Sequence, residues 1–255
     1  MIIFCIKNKK FKKIILSLII LSFCIILSIF SKCKIAETFS EHERRLPIYS
    51  VDTSDKRVAI TFDASWGENN TVKILDILDK YKIKATFFLV GRWIDDFPEE
   101  TREIYKRGHE IGNHSNKHPM MTKISKQNMI NEIAETDAKI MTVTGKKTAL
   151  FRCPSGAYND EVINTVEGTG HYCIQWNVDS IDWKNGDADK EYERIIKKTK
   201  PGSILLFHNA AVNTPSTLPK IIEYLKGKGY KFVTVSDLIY KSNYYIDYTG
   251  KQKRN

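Results

Sequence analysis

Six side chains in this 255-residue sequence have types and neighbours that point to chemistry: Asp63, His114, His118, Arg152, Asp182 and His208. Asp63 stands in TFDASWG and closes the apolar run KRVAITFD. An unpaired carboxylate at the end of a buried strand is costly, so it needs a partner or a task. Arg152, in FRCP, ends another apolar run and needs an anion, for which Asp63 is the obvious candidate. His114 and His118 lie four residues apart in HSNKH. If that segment turns helically, both imidazoles project to one side and can hold one Zn²⁺ or similar ion; otherwise they are solvated histidines. VDSIDW carries Asp179 and Asp182. One of the two can orient a histidine and fix its tautomer, or both cap their own loop. His208 closes SILLFH, where it is a general acid or base, or a satisfied core residue. His109, in GHEIGNH, reads as structural.

The segments that must position these residues alternate strand and helix chemistry from about Asp55. RVAITFD precedes TVKILDILDKY, ATFFLVG precedes FPEETREIYKRG, and HEIGNHS precedes SKQNMINEIAETDAKIMTVTG. TALFRCP is followed by a helix over 160–167, the strand HYCIQWNVDS by one over 189–198, and SILLFH by one over 219–228; YKFVTVS ends the series. Gly108, Gly145 and Gly229 fall where helices should stop. Repeated βα units imply a parallel sheet, open and doubly wound or closed into a barrel. Asp63, His114, Arg152, Asp182 and His208 all fall at or just past strand C-terminal ends, which in a βα barrel converge on one functional face.

Composition bounds the rest. The length suits one sizeable domain with tails, and 42% hydrophobic with 27% charged residues is ordinary for a globular chain. The formal charge of +10 sits partly in KNKKFKK and KQKRN; the remainder suits an anionic polymer such as cell wall, or a lysine-rich proteome. No basic helix or aromatic-interleaved basic stripe occurs, so nucleic acid is not an expected partner. The five cysteines show no metal-clip spacing and no disulfide framework. Ile14 to Phe30 is an uncharged apolar run of about 17 residues behind a lysine cluster. It reads as a signal peptide or, because lysines occupy the cleavage region, an uncleaved anchor that leaves the domain outside the cytoplasm. Lys32 before Cys33 argues against a lipoprotein signal. The expected layout is a basic flank and anchor over 1–35, a linker over 36–54, the domain over 55–240 and a basic tail over 241–255.

In order over 55–240, TFDA, HSNKH, RCPSG, DSIDW and LLFH resemble the five motifs of the polysaccharide deacetylases, the NodB-homology family of carbohydrate esterases. SWG after Asp63, WNVDSIDWK and PGSILLFHNAA are most similar to the PdaB-like sporulation branch. The resemblance implies a distorted (β/α)7 barrel and hydrolysis of N-acetyl groups from aminosugars of a cell-wall or spore-cortex polysaccharide, acting as a monomer on a glycan. It implies Asp63 as base tethered by Arg152, and His208 as acid oriented by Asp182. His114 and His118 are implied to hold a divalent metal, zinc or cobalt, with the Ser155 N–H facing the oxyanion and Trp183 and Leu206 lining the acetyl methyl pocket. Two departures stand out. Ala64 replaces the family's second aspartate, its third metal ligand, leaving Asp63 or Glu68 to supply an oxygen, a weakly held ion, or no ion. Cys153 and Ser155 replace the proline and tyrosine frequent in RCPSG-like motifs. The alternatives are a catalytically weak glycan-binding protein of the spore envelope and an O-acetyl glycan esterase.

Overall fold

The computed structural model describes the backbone of residues 9–38 and 44–255 and the side chains of 13–28 and 44–255. The expected basic flank before residue 9 and linker residues 39–43 lie outside these. The chain divides into a unit Met1–Arg44 and a compact unit Arg45–Asn255. The first contains helix α1, Lys9–Thr38, which covers the apolar run. Its large side chains between Ile14 and Leu27 stand about half exposed, Leu18 at 60% and Phe23 at 63%. Among the described residues, no helix is long and apolar enough to cross a membrane.

The second unit runs β1 (Ser50–Val51), β2 (Arg57–Ala64), α2 (Thr71–Lys80), β3 (Thr86–Leu89), α3 (Gly91–Asp96), α4 (Pro98–Lys106) and β4 (Glu110–Asn113). It continues with α5 (Lys126–Thr144), β5 (Leu150–Phe151), α6 (Asp160–Gly168), β6 (Tyr172–Cys173), β7 (Val178–Asp179) and α7 (Ala188–Lys198). Last come β8 (Ile204–His208), α8 (Thr214–Gly227), β9 (Lys231–Phe232), α9 (Val235–Leu238), β10 (Tyr244–Ile246) and β11 (Lys251–Arg254). Helix ends follow local chemistry: Ser125 accepts the Asn128 N–H to cap α5, Asn159 accepts the Val162 N–H to cap α6, and α5 stops at Gly145 with φ 69°.

A parallel sheet in the order β6-β5-β4-β3-β2-β8-β7, with β9 beside the start of β2, carries the site. Strand alternation sorts its side chains into two layers. Ile60, Phe62 and Ala64 of β2, Phe87 and Leu89 of β3, and Leu205 and Phe207 of β8 pack into the helix-facing core. Thr61, Asp63, Phe88, Leu206 and His208 therefore face the inside. The sheet curls because its edge strands, β6 and β7, are separated by only four residues, 174–177, which span at most about 17 Å. That parallel, curled sheet is consistent with the expected βα barrel. The segment HYCIQWNVDS, expected as one strand, is divided instead: its ends form opposite edges of the sheet.

Three further expectations need correction. Residues 45–54, expected as linker, belong to the compact unit: Ile48 bridges Ile174, and β1 pairs with β11. Gly202, at φ 78°, permits this approach, since a Cβ there would lie 1.8 Å from the Val51 carbonyl oxygen. The tail beyond residue 240 is also structured, β10 pairing antiparallel with β11, and Gln252 is buried with its amide exchanging hydrogen bonds with the Tyr240 backbone. Helix α8 begins at Thr214, before Pro219, and carries that proline inside its first turns.

Candidate active site

Parallel pairing places Asp63 and His208 directly opposite each other at the C-terminal ends of β2 and β8. Asp63 Oδ1 accepts a 2.7 Å hydrogen bond from Arg152 Nη1, which also donates to Thr61 Oγ1 at 2.9 Å. Arg152 is fully buried, its guanidinium 4.0 Å from the Phe88 ring centroid and its Nη2 donating to the Gln175 carbonyl at 3.2 Å. Burial alone would raise the Asp63 carboxyl, but the Arg152 guanidinium, then His114 and His208, hold it below the ordinary carboxylate range. Asp63 is thus an ionised base with one oxygen tied back.

His208 is mounted symmetrically. Its Nδ1 lies 2.7 Å from Asp182 Oδ1, and its backbone N–H donates to Asp182 Oδ2 at 2.8 Å. Thr214 Oγ1 donates to the same Oδ2 at 2.8 Å. Burial would lower the imidazole, but the Asp182 hydrogen bond and charge, with Asp63 behind, raise it above its usual value. Because Nδ1 is engaged, Nε2 is the nitrogen left for the cleft. Asp179 behaves differently: its Oδ1 accepts the Ile181 N–H and caps its own turn. The two aspartates of VDSIDW therefore divide the two readings between them.

His114 and His118 do meet, with ring centroids 5.0 Å apart, but by a left-handed route instead of a helical turn. Ser115 has φ 66° and His118 φ 56°, and the His118 N–H closes back on Ser115 Oγ at 3.0 Å. His114 Nδ1 lies 2.8 Å from the Arg152 carbonyl, which assigns the proton to Nδ1 and turns an unprotonated Nε2 toward Asp63 Oδ2, 3.6 Å away. Burial pushes His114 down to about 4 and lowers His118 too, so both rings are neutral near pH 7. Two neutral, oriented imidazoles suit a metal ion as far as they go. Ala64 contributes only a methyl, packed in the helix-facing core on the opposite side of β2 from Asp63. Among the described residues, no group of three or more His, Cys, Asp or Glu side chains is arranged to hold an ion. The residues therefore do not make the three-ligand set of a catalytic zinc site.

A cleft of about 390 Å³ joins these groups, lined by Asp63, Ser65, Trp66, His114, His118, Ser155, Trp176, Asp179, Trp183, Leu206 and His208. Ser155 reaches it from a tight turn with φ 54°, and Leu206 from the inner face of β8. All nine residues expected at the site are accounted for: seven line the cleft, and Arg152 and Asp182 stand buried behind Asp63 and His208. Glu68 is not among the lining residues. His109 is structural, its Nδ1 accepting the Ala85 N–H at 3.2 Å. Sequence reasoning missed Thr61, Thr214, Trp66 and Trp176. Thr61 and Thr214 are short hydroxyls whose partners, Arg152 and Asp182, lie far away in sequence. Trp66, 58% exposed, lies nearly parallel to His208 at 6.5 Å and edge-on to His118 at 6.2 Å, and its signal was its place in TFDASWG.

Residues 50–174 match the family model described as polysaccharide deacetylase. The chain is 35% identical over 196 residues to a peptidoglycan-N-acetylglucosamine deacetylase of Bacillus cereus, covering 75% of this chain and 92% of that one. It is 32% identical over 197 residues to the peptidoglycan-N-acetylmuramic acid deacetylase PdaA of Bacillus subtilis, covering 76% and 75%. A CE4 family pseudoenzyme from Bacillus anthracis superposes with a TM-score of 0.74 at 33% identity, over 82% of this chain and 70% of that one. A mutant of that pseudoenzyme is described as having restored enzymatic activity.

Proposed function

The chain belongs to the polysaccharide deacetylase family, and we propose that it hydrolyses N-acetyl groups from aminosugars of peptidoglycan. The observation that carries this reading is the opposed pair Asp63 and His208, each held by a buried partner of opposite character and both open to one cleft. A protein that only binds glycan has no use for a base and an acid so arranged.

Asp63, His208 and one water account for the protons of the reaction. Asp63 takes a proton from water as its oxygen attacks the acetamide carbonyl. The Ser155 N–H faces the oxyanion that forms, and Trp183 and Leu206 bound the space for the methyl group. Collapse breaks the C–N bond; His208 Nε2 gives its proton to the leaving amine, and acetate departs. Trp66 and Trp176 offer flat faces for sugar rings beside the reacting group. A zinc or cobalt ion on His114 and His118 alone would be weakly held.

The domain is proposed to work outside the cytoplasm as a monomer, tethered by the apolar run of α1, whose large side chains from Ile14 to Leu27 stand exposed. A role in the spore envelope is proposed on the resemblance of SWG and WNVDSIDWK to the PdaB-like branch. A second reading, glycan binding without turnover, is favoured by one specific observation: Ala64 replaces the family's second aspartate, and among the described residues no third ligating side chain joins His114 and His118. One experiment separates them: acetate release by the full chain from peptidoglycan, N-acetylglucosamine oligomers and an O-acetylated glycan, with zinc or cobalt added. Release from the N-acetyl substrates supports the deacetylase. Background release with every metal, together with activity in Ala64→Asp, establishes the binding reading. Release from the O-acetyl glycan alone establishes an esterase.

A further inference from the structure

The turn that brings His114 and His118 together is unfavourable by itself, because Ser115 and His118 both hold left-handed backbone. Its backbone partners show what keeps it in that shape. Helix α3 supplies donors on one side: the Gly91 N–H donates to the Ser115 carbonyl and the Arg92 N–H to the Asn116 carbonyl, each at 2.9 Å. This approach requires glycine, since a Cβ at Gly91 would come 2.3 Å from Asn116 Oδ1. At the start of the turn, the Ser115 N–H donates to Asn113 Oδ1 at 2.8 Å, and the Asn113 amide is itself anchored to α5 through the Ile133 carbonyl and Asp137 Oδ1.

The next two N–H groups, those of Asn116 and Lys117, both donate to one oxygen, Glu132 Oε2 of α5, at 2.8 and 2.7 Å. Successive main-chain N–H groups in such a turn form a concave nest for an electronegative atom. Here a side chain of the same protein fills it. Asn116 is 3% exposed, so its N–H cannot turn to water instead. Glu135 and Lys139, on the same helix, hold the Asn116 side chain.

We propose that Glu132 is a positioning residue of the cleft, which fills this nest, holds the left-handed turn closed and so sets the His118 ring against His114. His114 has its own mounting, its N–H on the Leu89 carbonyl at 3.0 Å and its Nδ1 against the Arg152 carbonyl at 2.8 Å. His118 lies beyond the strand and takes its place from the turn. The N–H of His118 reaches Ser115 Oγ at 3.0 Å only while the intervening residues, Asn116 and Lys117, keep their course, and those are the two that Glu132 holds. The His118 ring meets His114 at 5.0 Å and Trp66 at 6.2 Å, so a relaxed turn shifts the wall of the cleft.

The inference rests on reading this cleft as the place of reaction, but its first readout is geometric. NMR on the full chain in detergent follows the Overhauser effect between the His114 and His118 rings, and exchange of the Asn116 and Lys117 amides, in the parent, Glu132→Ala, Glu132→Asp and Glu132→Gln. Alanine removes the acceptor and remains a good helix former. Aspartate withdraws the oxygen by one methylene, and glutamine keeps an acceptor oxygen at the original reach. In Glu132→Ala and Glu132→Asp the Overhauser effect weakens and both amides exchange about tenfold faster or more, while Glu132→Gln stays close to the parent. Where the parent releases acetate, kcat falls about tenfold in Glu132→Ala and recovers in Glu132→Gln. Glu132→Asp carries the test if Glu132→Ala does not fold. A folded Glu132→Ala or Glu132→Asp with the parent Overhauser effect and amide exchange overturns the proposal. So does a Glu132→Gln as disturbed as Glu132→Ala, or a turn that opens with kcat unchanged. A parent without acetate release sinks the deacetylase reading, and the NMR comparison then decides this proposal by itself.

Discussion

Asp63 and His208 are register partners on adjacent parallel strands, and each is pinned from behind at 2.7 Å, the first by Arg152 and the second by Asp182. Parallel strands lie about 4.8 Å apart, so the base and the acid are delivered to one small volume by backbone pairing, without reliance on a flexible loop. The supports are of opposite sign, which drives the two groups toward opposite protonation states at the same pH.

Arg152 is the more exposed of these supports to energetic test, because it is fully buried with its charge answered by Asp63. Arg152→Leu leaves that carboxylate buried and unpaired. The expected outcome is a loss of about 3–5 kcal/mol in urea unfolding at pH 7 and an acid limb of activity displaced to higher pH. Unfolding within experimental error of the parent would show that the pair carries no net stability.

The pH dependence has a defined sign. Asp63 must be ionised and is held low, so activity is retained well into the acid range. His208 must be protonated and is raised above 6.5, so activity persists to neutral pH and falls as pH rises through that raised value. Asp182→Asn removes the charge that does the raising, and the basic limb of a pH–rate profile then moves to lower pH.

Ala64 lies in an apolar core, so Ala64→Asp buries a carboxylate among Phe62, Leu89 and Val90. Without added metal the variant is expected to melt below the parent. Because the side chain at position 64 faces away from His114 and His118, zinc is expected to raise the melting temperatures of variant and parent alike, by mass action on the folded state. A larger zinc-induced shift in the variant would show that position 64 does reach the ion.

Gly112 matters to the site through a ring. A Cβ at this position would come 2.5 Å from Phe88 Cδ1, and Phe88 is the face on which the Arg152 guanidinium rests. Gly112→Ala is expected to cost about 1–3 kcal/mol in denaturant unfolding and to lower kcat with the displaced arginine.

Much of the site was legible because strand-ending polar residues are conspicuous. TFD and LLFH each set one charged or titratable side chain at the end of an apolar run, and strand alternation did the rest. What escaped was set by tertiary contact. Residues 114–118 bring two imidazoles together through left-handed backbone at Ser115 and His118, a conformation that spacing alone does not reveal. HYCIQWNVDS looks like one strand because nothing local marks the crossing at 174–177. The basic segment KQKRN looks like a tail because its reason to be ordered, pairing of β11 with β1, lies 200 residues away in sequence. Thr214 was invisible for the same reason: its hydroxyl meets Asp182 only once the chain has folded.

The central claim is that Asp63 and His208 act as one unit on one substrate, and a mutant cycle on acetate release from peptidoglycan tests it most directly. Asp63→Asn and His208→Ala are each expected to lower kcat by about 10² or more, with the double variant no slower than the worse single variant. Single variants that release acetate at the parent rate, or losses that multiply fully in the double variant, would contradict the account.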